Sequence, residues 1–82
     1  MHEYSLVQAM FDQIGDVVRA QGALSVRRVR VRIGQLAGVE PQLFRTAYEV
    51  FRIKTFCAEA PLDIEPGPSD ELTLEQLELE VP

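Results

Sequence analysis

Two rhythms alternate along this chain. From position 4 to 21 the apolar residues Leu6, Val7, Met10, Phe11, Ile14, Val17 and Val18 recur every three or four positions. Gln8, Asp12, Asp16 and Arg19 fall opposite them. That spacing predicts an amphipathic helix over 4–21, with Gly22 as its C-terminal stop. The period then shortens to two. In Val29-Arg30-Val31-Arg32-Ile33 apolar residues alternate with arginines, continuing Arg28 on the polar side, which predicts a strand with one face buried and one wet. Gly34 ends it, and Gly38 marks the following loop. Pro41 suits the first position of a helix, with Glu40 in the capping region. Leu43, Phe44, Ala47, Tyr48, Val50 and Phe51 extend that helix over 41–53. Aromatic residues at this spacing are read as core rather than as a cofactor pocket. Leu62-Asp63-Ile64-Glu65 alternates again as a short strand, and Pro66-Gly67-Pro68-Ser69 is a turn. The last strand runs from Leu72. Its apolar phase flips between Leu74 and Leu77, which predicts a bulge near Glu75-Gln76.

The order helix–strand–helix–strand–strand predicts an α+β fold, a two-layer sandwich with two helices packed on one face of a three-stranded mixed β-sheet. The short link 66–70 makes the last two strands antiparallel, and the helical crossover makes the first two parallel. Arg28, Arg30 and Arg32 line one strand, Asp63 and Glu65 another, and Glu78 and Glu80 the third. Like charges repel across neighbouring strands, so the favoured arrangement sets the arginine strand beside an acidic one. That makes the polar face a solvated, salt-bridged surface rather than a phosphate-binding one.

Composition narrows the function. The 82 residues are enough for one domain, 1–82, with little stability to spare. A net charge of -5 argues against nucleic acid or an anionic membrane as partner. No apolar run approaches membrane-spanning length and no signal peptide is visible, so a cytoplasmic location is expected. Cys57, the lone cysteine, forms no internal disulfide and no cysteine-rich zinc site, and is expected as a small buried hydrophobe. No nucleophile–histidine–acid set and no glycine-rich phosphate loop is present, so the chain is not expected to be an enzyme.

The remaining candidate chemistry is at the start. His2 is the only histidine, and it follows Met1 directly. The Met1 amine, the His2 amide nitrogen and the His2 imidazole Nδ1 can close fused chelate rings on one ion, with the Glu3 amide as a fourth in-plane nitrogen. Four such donors suit Ni(II) or Cu(II) rather than zinc, magnesium or calcium. The bland alternative is a frayed, solvated terminus.

Several stretches, taken in order, resemble the HypA/HybF family of nickel chaperones for NiFe hydrogenases and, in some bacteria, urease. They are Met1-His2-Glu3-Tyr4-Ser5-Leu6, the run from Val29 to Ile33 continued by Gly34-Gln35-Leu36-Ala37-Gly38-Val39-Glu40-Pro41, then Ala47-Tyr48-Glu49-Val50-Phe51, and finally Leu74-Glu75-Gln76-Leu77-Glu78-Leu79-Glu80-Val81. The resemblance implies that Ni(II) is bound by Met1, His2 and Glu3, with Glu40 either an accessory carboxylate or only a helix cap. It also offers the Glu3 side chain as a contact to a partner protein. The implied partners are a nickel-binding maturation GTPase, docked beside the first helix, and the hydrogenase large subunit or the urease system. Family members carry a zinc subdomain with two Cys-x-x-Cys pairs between the last two strands. Here 66–70 stands in its place without those cysteines, so no zinc is expected; an engineered deletion or a natural variant would each give this sequence. A metal-free interaction domain, or a homodimer formed by strand exchange, is the competing reading.

Overall fold

A computed structural model describes residues 2–82, His2 by its backbone alone. The elements are α1 (His2–Gln21), β1 (Ser25–Gly34), α2 (Pro41–Phe51), β2 (Leu62–Gly67) and β3 (Leu72–Glu80). The sheet order is β2-β1-β3, with β1 parallel to β2 and antiparallel to β3. The fold is the expected α+β sandwich. Val7, Met10 and Ile14 of α1 and Phe44, Ala47 and Tyr48 of α2 form one core with Val26, Val29, Val31 and Ile33 of β1. Those four β1 residues are 4% exposed or less, because the central strand has a neighbour on each side and both helices above it. Alternation sends Arg28, Arg30 and Arg32 to the opposite face.

Helix α1 ends in a Schellman motif. Gly22 takes a left-handed φ of 61° while its N–H donates to the Arg19 carbonyl and the Ala23 N–H to that of Val18. Helix α2 stops at Phe51 rather than at the expected 53. Lys54 adopts a positive φ of 63°, and the Thr55 hydroxyl donates to the Arg52 carbonyl at 2.7 Å, closing a turn where another helical turn would go. The segment that follows returns to the core. Cys57 is fully buried, as expected, and burial pushes its thiol up to about 11. The Tyr48 hydroxyl donates to the Ala60 carbonyl at 2.7 Å.

Strand β1 begins at Ser25, earlier than its clean alternation. The register against β3 shifts between Val26 and Arg28, so Val26 and Val29 both face the core although three positions apart. The second shift skips Glu75, at the expected bulge. Strand β2 continues through Pro66 and Gly67, which had read as turn residues. Proline is tolerated there because β2 is an edge strand with one partner. Since β2 and β3 flank β1, their connection passes over the end of β1. The N–H groups of Gly34, Gln35 and Leu36 hold it by donating to the carbonyls of Glu71, Gly67 and Ser69. A Cβ on Gly34 would lie 1.9 Å from the Ser69 carbonyl oxygen, so only glycine fits.

The polar face matches its expectation. Arg28 meets Asp63 at 2.8 Å and Glu78 at 3.8 Å, Arg32 meets Glu65 at 3.3 Å and Glu75 at 3.0 Å, and Arg30 meets Glu65 at 3.8 Å. The central basic strand is thus balanced from both acidic neighbours. Among the described residues no helix is long and apolar enough to cross a membrane.

Candidate metal-binding site at the helix junction

The N-terminal turn of α1 lies against the start of α2, and a hydrogen bond between Glu40 and Glu3 joins them. Glu40 is the N-cap of α2, in extended backbone with φ -85° and ψ 114°. Its carboxylate accepts from the Gln42 N–H at 2.7 Å, and its carbonyl accepts from the Phe44 N–H at 3.0 Å. Pro41 follows at the first helical position, where a missing N–H costs nothing. The Glu40 N–H donates instead to the Glu3 carboxylate at 3.2 Å, across 37 positions of sequence.

Glu3 is 9% exposed, the one buried charged residue among those described. Its burial follows from position: 3, 7, 10 and 14 fall on one stripe of α1, and the last three are Val7, Met10 and Ile14 of the core. The positive end of the α2 dipole offsets part of the cost of burying a carboxylate there. Aromatic packing joins the two helices nearer the C-terminal end of α2. The Tyr4 and Phe51 rings are 5.7 Å apart, and Phe11 lies 5.7 Å from Tyr48 and 6.1 Å from Phe51.

This geometry bears differently on each sequence-predicted site residue. Glu40 caps α2, as one of the two roles weighed for it requires, and its side chain is exposed while its N–H meets Glu3. The Glu3 carboxylate, offered by the sequence as a partner contact, accepts from the Glu40 N–H and lies in a buried residue. Met1 and the His2 side chain, the expected amine and imidazole donors, lie outside the described residues. Among the described residues no group of three or more His, Cys, Asp or Glu is placed to hold a metal. The Glu3 backbone amide, the expected fourth donor, belongs to the first turn of α1. Sequence reasoning missed the Glu3–Glu40 bond. The signal was present: an acid placed on the apolar stripe of a helix needs an internal partner.

The chain is thus a two-layer α+β domain whose first helix is tied to the second through Glu3 and Glu40. The family described as hydrogenase/urease nickel incorporation, metallochaperone, hypA matches residues 1–75. The chain is 44% identical over 62 residues to the hydrogenase maturation factor HypA of Shewanella oneidensis, covering 76% of this chain and 52% of that protein. It is 43% identical over 68 residues to HypA of Wolinella succinogenes, covering 83% and 57%. The solution structure of the Ni metallochaperone HypA from Helicobacter pylori superposes with a TM-score of 0.87 over 98% of both chains at 23% identity, a likeness of fold. The chain belongs to the HypA family. That family is one of metallochaperones rather than enzymes. The chain spans about half the length of the curated relatives it matches.

Proposed function

We propose that this chain is the nickel-carrying domain of a metallochaperone, holding Ni(II) as cargo through the Met1 amine, the His2 amide and imidazole, and the Glu3 amide. The observation that carries the proposal is the hydrogen bond from the Glu40 N–H to the Glu3 carboxylate. It anchors Glu3, the residue that follows His2, to the start of a second helix. The exposed carboxylate of Glu40, whose own N–H meets Glu3, serves as an accessory ligand. A site at the molecular surface suits transfer, because an acceptor's ligands can approach before the donor's have left. The acceptors are a nickel-binding maturation GTPase and, beyond it, a hydrogenase large subunit or the urease system. The connector between β2 and β3 stands where the family's zinc subdomain is inserted, and the domain takes up nickel without zinc.

Nickel titration calorimetry of the untagged chain beside His2→Ala tests the reading. Loss of nickel binding in His2→Ala, with an unchanged circular dichroism spectrum, is the expected result. Equal binding by the two proteins would move the site elsewhere and favour the metal-free interaction domain.

A further inference from the structure

We propose that the free edge of β3 docks an extended partner segment in which basic residues alternate with apolar ones, adding a fourth strand to the sheet. Among the described residues strand β3 has β1 on one side and no strand on the other, so alternate backbone N–H and C=O groups along its nine residues face outward. Its apolar residues are unfinished as a core. Leu72, Leu74, Leu77 and Leu79 are all half-buried, whereas their counterparts on β1 are fully buried. Beside them runs a cleft of about 240 Å³, lined by Leu6, Ala9 and Gln13 of α1 and by Leu72 and Leu74. The apolar side chains of an added strand would enter that cleft, as alternate residues do in strand addition.

Charge decides what kind of strand fits. Strand β3 reads Leu-Thr-Leu-Glu-Gln-Leu-Glu-Leu-Glu and contains no basic residue. Glu75 is engaged by Arg32 at 3.0 Å, but Glu78 reaches Arg28 only at 3.8 Å, and Glu80 is exposed without an ion pair among the described residues. The molecule already contains the solution to this pattern, because β1 meets the inner edge of β3 with alternating arginines and aliphatic residues. A strand of the same chemistry on the outer edge would face Glu78 and Glu80 with cations and the leucines with apolar side chains. A second copy of β3 would instead set glutamates against glutamates, with no cation between them. The cleft reaches Leu6, in the second turn of α1. Leu6 is four residues from His2, roughly 6 Å along the helix axis, so an occupant of this edge would sit beside the terminal segment. The docking proposal itself rests on the edge strand and not on nickel.

The test uses the whole chain without metal. The probe is a fluorescent peptide copying residues 27–34, Arg-Arg-Val-Arg-Val-Arg-Ile-Gly, with a control in which every arginine is glutamate. Anisotropy is expected to show the basic peptide binding at least about tenfold tighter than the acidic one. Amide shifts should concentrate in 72–80 and along 6–13. The double variant Glu78→Lys, Glu80→Lys, altered only at exposed side chains, should weaken binding about tenfold or more while its circular dichroism stays unchanged. Equal binding of both peptides, shifts centred on α2, or no binding at all would overturn the proposal, the last result leaving the acids as guards against edge association. Sedimentation showing a dimer paired through β3 would overturn it too, by making a second copy the occupant.

Discussion

At the helix junction the carboxylate of Glu3, a residue 9% exposed, accepts the Glu40 N–H at 3.2 Å. On the sheet face three arginines and four carboxylates make five contacts between 2.8 and 3.8 Å, every side chain at least 29% exposed. Counting contacts would rank the sheet face far above the junction. Burial reverses the ranking. An exposed ion pair exchanges water contacts for a screened attraction and gains little. A buried donor stripped of its acceptor bears its full desolvation cost. The sheet face therefore sets register, while the junction holds two distant parts of the chain together where the proposed cargo site begins.

The sharpest way to break this comparison is to remove the Glu3 carboxylate. Glu3→Ala leaves the Glu40 N–H unsatisfied, and a loss of about 2 kcal/mol in unfolding free energy is expected from urea denaturation. Glu3→Gln keeps an acceptor oxygen and should recover most of that loss; if it does not, the charge rather than the hydrogen bond carries the effect. At the exposed end of the same junction, Glu40→Ala removes a helix cap and should cost about 1 kcal/mol.

The sheet face should respond more weakly and in a different way. Arg32 holds the Glu75 carboxyl below its usual range, chiefly through their hydrogen bond. A lowered folded-state pKa means that the stabilisation is complete above the unfolded-state value, about 4.3, and fades as pH falls through the folded value. Urea midpoints of the parent chain and Glu75→Gln, compared from neutral pH downward, should converge in acid. Salt at about 0.5 M should also narrow their difference. A gap between the two proteins that persists in acid and in salt would contradict the solvated reading of this face.

The same contrast explains what could be read from sequence. The sheet face was legible because alternation and charge repeat along Arg28, Arg30 and Arg32 and along Asp63, Glu65, Glu78 and Glu80. The bulge at Glu75 was legible because the leucine phase flips across it. The irregularity at Arg27 hid the start of β1, since Val26 and Val29 break the period even though both face the core. Pro66 and Gly67 carry turn chemistry, and only the edge position of β2 lets them stay in the sheet. The Glu3–Glu40 bond is a single long-range contact between two acidic residues. No pairing rule joins two glutamates, so only the place of Glu3 on the apolar stripe pointed to it.

The central claim is that the terminal nitrogens, seated on this junction, are the nickel donors. Nickel titration calorimetry at a pH of about 7.5, where a free α-amine of pKa about 7.7–8.0 is partly deprotonated, tests it most directly. The untagged chain is compared with the same chain carrying a permanent Gly-Ser extension ahead of Met1. The account predicts binding of one nickel ion by the untagged chain and no comparable binding by the extended one, with equal thermal midpoints in the absence of metal. Unchanged stoichiometry and affinity in the extended chain would contradict it.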